Sequence, residues 1–232
     1  MSPDTFSQKP EFSIDEPVST TQSGKQTQSS CYRLHAKVFK SHVLIPNDCT
    51  NMLASEHMPD DLFTIIKCFG CINIVECFIE PRTWLSCEYL GVKYSEGWTE
   101  CVQKMSRYFD GENDENKKIP FGYPISIQIK PSDGPACEST LVFNSSLPNK
   151  GLGAPKATVP GLQLNEWPKL HVYCRPFLGP NTEEKFRDEA LCFADTLGCI
   201  NLKFKPDPYY WVVCSFPNAS EVHTQIWFIV DE

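Results

Sequence analysis

The spacing of apolar residues in the first half of the chain predicts a mixture of helices and strands. Apolar side chains between Leu62 and Phe69 recur every three or four residues, which is typical of one helix face. Between residues 125 and 130, isoleucines alternate with polar residues, which predicts a half-buried strand. The predicted elements are, in order, a strand within 32–45, a helix over 62–69, strands over 72–79 and 83–90, a helix after Ser95 and a strand over 125–130.

The order strand-helix-strand-strand-helix-strand is the ferredoxin-like arrangement. A second set of elements opens at Trp167, and its first helix is predicted from apolar spacing between Phe186 and Leu197. Only residues 217–225 precede its last strand, which leaves little room for a second helix. We therefore predict an α+β protein with two ferredoxin-like (βαββαβ) domains in tandem, the second with a shortened or missing second helix.

A short internal repeat supports two related units. Gly70-Cys71-Ile72-Asn73 recurs as Gly198-Cys199-Ile200-Asn201, and in both copies a proline, a tryptophan and a cysteine follow in that order. A repeat of this kind indicates duplication, and its period is far longer than that of a solenoid. The predicted organisation is a disordered tail over 1–30, a first domain over 31–131, a linker over 132–166 and a second domain over 167–232.

The charge of the chain argues against a protein that binds nucleic acid through phosphates alone. The formal net charge is -8, whereas such proteins carry a strongly basic surface. No apolar run is long enough to span a membrane, and the polar first 30 residues do not resemble a secretory signal. We expect a nuclear or cytoplasmic protein with no membrane association.

The 12 cysteines raise the question of disulfides or a metal site. Many lie within apolar runs, where a reduced thiol packs as a small hydrophobic group, so we expect a reducing compartment. Cys68 and Cys71 form a single CxxC pair, but a structural zinc site needs a second pair of ligands. No catalytic grouping or phosphate-binding loop is evident either. The prediction is therefore a non-enzymatic protein with no metal and no cofactor.

The element order, with the positions of the Gly-Cys-Ile turns and the tryptophans, resembles the RNA-recognition-motif (RRM) family over residues 32–131 and 167–231. Members of that family stack RNA bases on aromatic side chains of the central strands. In the first unit, Arg82 and Trp84 match the basic and aromatic positions of the third strand. Trp84 and the strand that ends in Lys130-Pro131 are also similar to the nucleoporin-type variant, which uses its sheet face for self-association.

In the second unit, strand alternation places Trp211 on the open sheet face. The residues that the resemblance nominates for RNA or partner binding are Trp84, Trp211, Tyr173, His171, Lys203, Lys205 and Arg82. Two functions follow as hypotheses. The first is an adaptor or scaffold that binds protein partners, or itself, within a ribonucleoprotein or nuclear assembly. The second is a protein that binds single-stranded RNA through the sheet of the second domain.

Overall fold

Two α-helices and nine strands account for most of the residues that the structure describes. The structure is a computed structural model that describes residues 53, 58–91, 93–130, 140–215 and 222–232. The strands are β1 (Phe63–Phe69), β2 (Ile74–Ile79), β3 (Arg82–Leu90), β4 (Ile125–Lys130), β5 (Thr140–Ser146), β6 (Leu162–Trp167), β7 (Leu170–Leu178), β8 (Phe204–Val213) and β9 (His223–Val230). The helices are α1 (Tyr94–Phe109) and α2 (Glu183–Cys199), and short 3-10 helices occupy Gly70–Ile72 and Pro148–Gly151.

The nine strands form one antiparallel sheet in the order β1-β2-β7-β9-β8-β4-β5-β3-β6. Its centre is the pairing of β8 with β4, in which Trp211 lies opposite Ile127. On one side of this pair the order is β4-β5-β3, and on the other it is β8-β9-β7. Two β-α-β-β units, β3-α1-β4-β5 and β7-α2-β8-β9, are therefore arranged symmetrically about the central pair.

The prediction of two tandem ferredoxin-like domains is wrong. Strands from the two halves of the chain pair directly with each other, as β2 does with β7 and β4 does with β8, so they share one sheet. Residues 140–146 and 162–166, which the sequence predicts as part of a linker, belong to β5 and β6. The tail over 1–30 and the strand within 32–45 lie outside the described residues, as does most of the segment 217–225.

The predicted helix over 62–69 is also wrong, because residues 63–69 form β1. Apolar residues three and four apart are compatible with a helix face, but a short apolar run with β-branched residues fits a strand equally well. Here Thr64, Ile65 and Ile66 are all β-branched, and they favour the extended form. Pairing with β2, in which Phe63 lies opposite Ile79, decides the outcome.

The Gly-Cys-Ile-Asn repeat marks a local turn and not a duplicated domain. Asn73 and Asn201 both have left-handed backbones, with φ of 55° and 57°. Asparagine tolerates this conformation better than most residues, so it can end a helical turn. The first copy follows β1, whereas the second ends α2. The repeat therefore records two similar turns in structurally unrelated places.

Apolar residues pack on both faces of the sheet. Both helices contribute to the cluster on one face, for example through Met105 of α1 and Phe193 of α2. The cluster on the other face joins Trp84 of β3 to Val75 of β2, although these strands are far apart in the strand order. The sheet therefore curves so that its two ends approach each other around an apolar interior.

Candidate functional site

The N-terminal ends of α1 and α2 enclose a cleft over the centre of the sheet. One cavity in this cleft has a volume of about 270 Å³, and Ile129, Tyr209 and Trp211 contribute to its lining. A second cavity, of about 460 Å³, extends outward between the first turns of the two helices. Tyr94 and Glu183 line both cavities. The cleft therefore lies where the two β-α-β-β units meet.

Aromatic rings form the inner wall of the cleft. The indole of Trp211 stacks on the ring of Phe186 with centroids 5.3 Å apart and planes 10° from parallel. The ring of Tyr94 meets Trp211 edge to face at 5.6 Å, and it also contacts Trp98 at 6.1 Å. Such packing fixes the orientation of each ring and gives the cleft flat apolar surfaces.

Two donors that face the first cavity have no partner among the described residues. Trp211 is buried, and its Nε1 makes no hydrogen bond. Arg187 is exposed and forms no ion pair within the part of the chain that is described. Burial raises the pKa of Tyr209, and the Trp211 indole N–H partly opposes that shift because it approaches the Tyr209 hydroxyl, although not in hydrogen-bond geometry. A buried donor without an acceptor is costly, so this cavity suits a ligand that carries an acceptor group.

A hydrogen bond joins the two sides of the cleft. The Tyr94 hydroxyl donates to Oδ1 of Asn181 over 2.5 Å. Tyr94 is the first residue of α1, and Asn181 precedes Thr182, the N-cap of α2. Burial raises the pKa of Tyr94 far above its usual range, so the hydroxyl keeps its proton and donates.

Both tryptophans that we expected on open sheet faces are buried. Trp84 is 0% exposed, and its ring packs against Trp167 at 4.6 Å within the curved interior of the sheet. Trp211 is 4% exposed and lies beneath the helices. Neither indole forms an open stacking platform, so the expectation of two exposed indoles is wrong. The curvature of the sheet covers Trp84, and α2 covers Trp211.

The other nominated residues lie in different places. Arg82 is buried and donates to Asp61 and Ser146. Tyr173 is buried beneath α2. His171 is half-buried near the edge of the sheet, while the exposed Lys203 and Lys205 lie near the start of β8. The structure therefore brings only Trp211 from this set into the cleft.

Sequence reasoning missed most of the residues that form the cleft. Tyr94, Asn181, Glu183 and Arg187 belong to no motif, and Tyr94 and Asn181 are separated by 87 positions. The one available signal is the spacing of Asn181 and Glu184, which is typical of a capping arrangement at the start of a helix. The actual cap is Thr182, whose hydroxyl accepts from the Lys185 amide.

Neither histidine of the described ranges lines the two cavities. His171 Nε2 lies 3.0 Å from Glu76, and its Nδ1 lies 3.6 Å from Glu232, so carboxylates face both ring nitrogens. His223 is exposed at the start of β9. Within the described ranges, no three His, Cys, Asp or Glu side chains are grouped so that they could hold a metal ion. The described cleft thus offers rings and donors but no histidine ligand.

The sheet and cleft define a class of proteins in which two β-α-β-β units enclose a site between their helices. Residues 77–229 match the model of the SOUL heme-binding protein family. Because this match covers more than half of the chain, the chain belongs to the SOUL heme-binding protein family. The resemblance to the RRM family is therefore wrong, and so are the adaptor and RNA-binding hypotheses that rested on it.

Two curated relatives are named heme-binding proteins. Over 151 residues the chain is 21% identical to heme-binding protein 2 of Homo sapiens and 20% identical to heme-binding protein 2 of Mus musculus. Each alignment covers 64% of this chain and 74% of the relative. The similarity thus spans most of the relatives' length at low identity.

Solved structures share the fold at still lower identity. The crystal structure of the EcmrR C-terminal domain matches with a TM-score of 0.51 at 9% identity, over 68% of this chain and 97% of that one. EcmrR in its DNA complex matches with a TM-score of 0.51 at 10% identity, over 90% of this chain and 68% of that one. Likeness at this identity concerns the fold alone. Among the described residues, no helix is both long and apolar enough to cross a membrane.

Proposed function

We propose that the protein binds heme, or a tetrapyrrole of similar shape, in the cleft between α1 and α2. The observation that carries this proposal is the family match over residues 77–229, which includes every residue named in the cleft. The human and mouse relatives are both named heme-binding proteins. The role proposed is binding, with no catalytic step assigned to the chain.

The apolar surfaces of the cleft suit a flat, conjugated ring system. Trp98 and Tyr94 present aromatic rings to the outer cavity, and Trp211 presents its indole to the inner one. Small-molecule sites commonly have volumes of about 300–1,000 Å³ and are largely apolar with a few polar groups. The outer cavity, of about 460 Å³, lies in the lower part of that range, and the inner one, of about 270 Å³, lies just below it.

The polar groups of the inner cavity suit the carboxylates of such a ligand. Arg187 offers a guanidinium, which binds carboxylates through paired N–H donors. Among the described residues, the buried Trp211 indole N–H has no acceptor in hydrogen-bond geometry, and a ligand carboxylate or carbonyl would supply one. Glu183 also lines this cavity, and its negative charge disfavours an anion close to it. The carboxylate is therefore expected on the Arg187 side.

Among the described residues that line the cleft, none is an evident ligand for heme iron. Heme iron in proteins is commonly held by His, Cys, Met or Tyr side chains. Of these types only Tyr94 and Tyr209 line the two cavities, and burial raises the pKa of both phenols. Since the phenolate is the form that ligates iron, neither tyrosine is prepared for that role. Affinity is expected from stacking and from the carboxylate contacts.

Titration with hemin and with metal-free protoporphyrin IX tests the proposal. Binding is followed by the porphyrin absorbance band and by quenching of tryptophan fluorescence. We expect Arg187→Gln and Trp211→Phe each to weaken binding about tenfold, because each removes a donor to the carboxylate. Arg107→Gln is the matched control, since Arg107 is an exposed arginine at the far end of α1.

Two results would contradict the proposed site. Absence of saturable binding of either porphyrin by the full chain would exclude the function. Binding that is lost equally in Arg187→Gln and Arg107→Gln would place the site elsewhere on the molecule.

A further inference from the structure

The aromatic ring of Tyr94 separates the two cavities of the cleft. The inner cavity, of about 270 Å³, and the outer one, of about 460 Å³, both include Tyr94 in their lining. On the inner side the ring meets Trp211 at 5.6 Å and Phe186 at 6.0 Å. On the outer side it meets Trp98 at 6.1 Å. A ligand that occupies both cavities together must displace this ring.

The hydroxyl of Tyr94 holds the ring in this position. It donates to Asn181, which lies immediately before the N-cap of the other helix. The bond therefore closes the gap between the N-terminal ends of α1 and α2. No other hydrogen bond of the Tyr94 side chain occurs among the described residues. Breaking this bond leaves the side chain held to α2 by its edge-to-face contact with Phe186.

The two helix ends that this bond joins differ in how they are capped. Thr182 caps α2 by accepting a hydrogen bond from the Lys185 amide. Lys93, the N-cap of α1, makes no side-chain capping bond, and its Nζ instead pairs with the exposed Glu96 of the first turn. A helix end without a cap frays more readily. Tyr94, as the first residue of α1, therefore moves with the less firmly held end.

We infer that Tyr94 determines the size of ligand that the cleft admits. While its hydroxyl is bonded to Asn181, the cavities are separate and each accepts a ligand of one or two rings. When the bond opens, the cavities join into one site with room for a tetrapyrrole. This inference rests on the proposed function and adds to it a specificity-determining residue and an opening step.

The kinetics of binding separate this role from a merely structural one. A ligand that needs the joined site must wait for the bond to open, so its observed binding rate levels off as its concentration rises. We expect such a plateau for protoporphyrin IX mixed with the wild-type chain in a stopped-flow instrument. In Tyr94→Phe the plateau should rise about tenfold, because loss of one buried hydrogen bond favours opening by about that factor.

Binding of a small ligand is the comparison that distinguishes this role of Tyr94 from a general structural defect. 2-Naphthol has two rings and no charge, so it fits the outer cavity beside Glu183 and Glu184 without opening. Its affinity by calorimetry should change less than about threefold in Tyr94→Phe, because its binding does not require the Tyr94–Asn181 bond to break. Tyr108→Phe is the matched control, because it removes another buried hydroxyl of α1, one that donates to Pro155 O at 2.7 Å. Its porphyrin plateau should equal that of the wild type.

Asn181→Ala removes the acceptor and leaves the Tyr94 side chain unchanged. It should raise the plateau as much as Tyr94→Phe does, and the double variant should show no further rise, because both remove the same bond. A wild-type rate that stays linear in porphyrin concentration overturns the inference, as does an equal plateau in Tyr94→Phe and Tyr108→Phe. Both outcomes leave the proposed function intact, whereas failure of every variant and the wild type to bind porphyrin removes both.

Discussion

The guanidinium of Arg82 donates to the carboxylate of Asp61 at 2.9 Å and so ties β3 to the turn that leads into β1. The Arg82 side chain is buried, whereas that of Asp61 is half exposed. A further bond to Ser146, at 3.0 Å, joins the same guanidinium to β5. Because β1 and β3 lie near opposite ends of the strand order, these contacts hold the curved sheet closed.

Replacing Arg82 with methionine should lower the free energy of unfolding by about 2–3 kcal/mol. Methionine fills much of the space but leaves Ser146 without its charged donor, and hydrogen bonds to charged groups are worth about 1.5–3 kcal/mol. Urea unfolding followed by circular dichroism measures the change. Arg107→Met is the control and should change stability by less than about 0.5 kcal/mol, as surface substitutions do. Equal effects of the two substitutions would show that the Arg82 contacts do not hold the sheet.

The same pair should make stability depend on pH at the acid end. Partial burial opposes ionisation of Asp61, but hydrogen bonds and charges from Arg82 and Lys150 outweigh it and lower the pKa of this carboxyl. A group whose pKa is lower in the folded state contributes stability above its unfolded pKa, and that contribution disappears as pH falls through the folded value. Asp61→Asn should therefore flatten the loss of stability below about pH 4, the ordinary range of an aspartate. Thermal unfolding between pH 6 and pH 2 measures this, and an unchanged slope in Asp61→Asn would contradict it.

Local patterns predicted several elements of the fold but not their pairing. Alternating isoleucines predicted β4, and helical spacing predicted α1 and α2, all of which the structure confirms. Alternation shows that a strand has one buried face, but it does not show which strand lies beside it. The central pair β4–β8 joins residues that are 80 to 88 positions apart. Local order therefore suggested two small sheets where the chain forms one.

The candidate site was less predictable than the elements. Trp211 was nominated from strand alternation, and it does line the cleft. It is, however, buried under α2, because the face that we took as open carries both helices. Tyr94 and Asn181 meet only because the two β-α-β-β units lie symmetrically about the central pair. No pattern within one helix can reveal a contact that depends on the relative position of two.

Two fully buried tryptophans of the sheet interior should respond differently to loss of the indole nitrogen. Trp227 Nε1 donates to Gln225 Oε1 at 2.7 Å, whereas Trp84 Nε1 has no hydrogen-bond partner within the described part of the chain. Trp227→Phe leaves a buried acceptor unpaired, which costs about 1–3 kcal/mol. Trp84→Phe instead removes an unpaired donor. Since both changes remove a similar volume, Trp227→Phe should be the more destabilising by about 1–2 kcal/mol.

Urea unfolding of the two variants measures that difference. Trp84→Ala and Trp227→Ala serve as controls for packing, and both should lower stability by about 3–5 kcal/mol because each creates a large cavity. A larger cost for Trp84→Phe than for Trp227→Phe would show that the Trp84 indole N–H has a partner.

The two left-handed asparagines of the repeated tetrapeptide should differ when each is replaced by glycine. Glycine adopts a positive φ without steric cost, so the backbone alone favours neither residue. Asn73 Nδ2, however, donates to Pro176 O at 2.6 Å and links the first turn to β7, while the Asn201 side chain is exposed after α2. Asn73→Gly should therefore lower the free energy of unfolding by about 1 kcal/mol, the usual net value of one hydrogen bond.

Asn201→Gly is the control and should change the free energy of unfolding by less than about 0.5 kcal/mol. Valine at either position should be worse than glycine because a β-branched residue resists a positive φ. Equal losses for the two glycine variants in urea unfolding would mean that the Asn73 bond adds nothing, and that the repeat reflects backbone conformation alone.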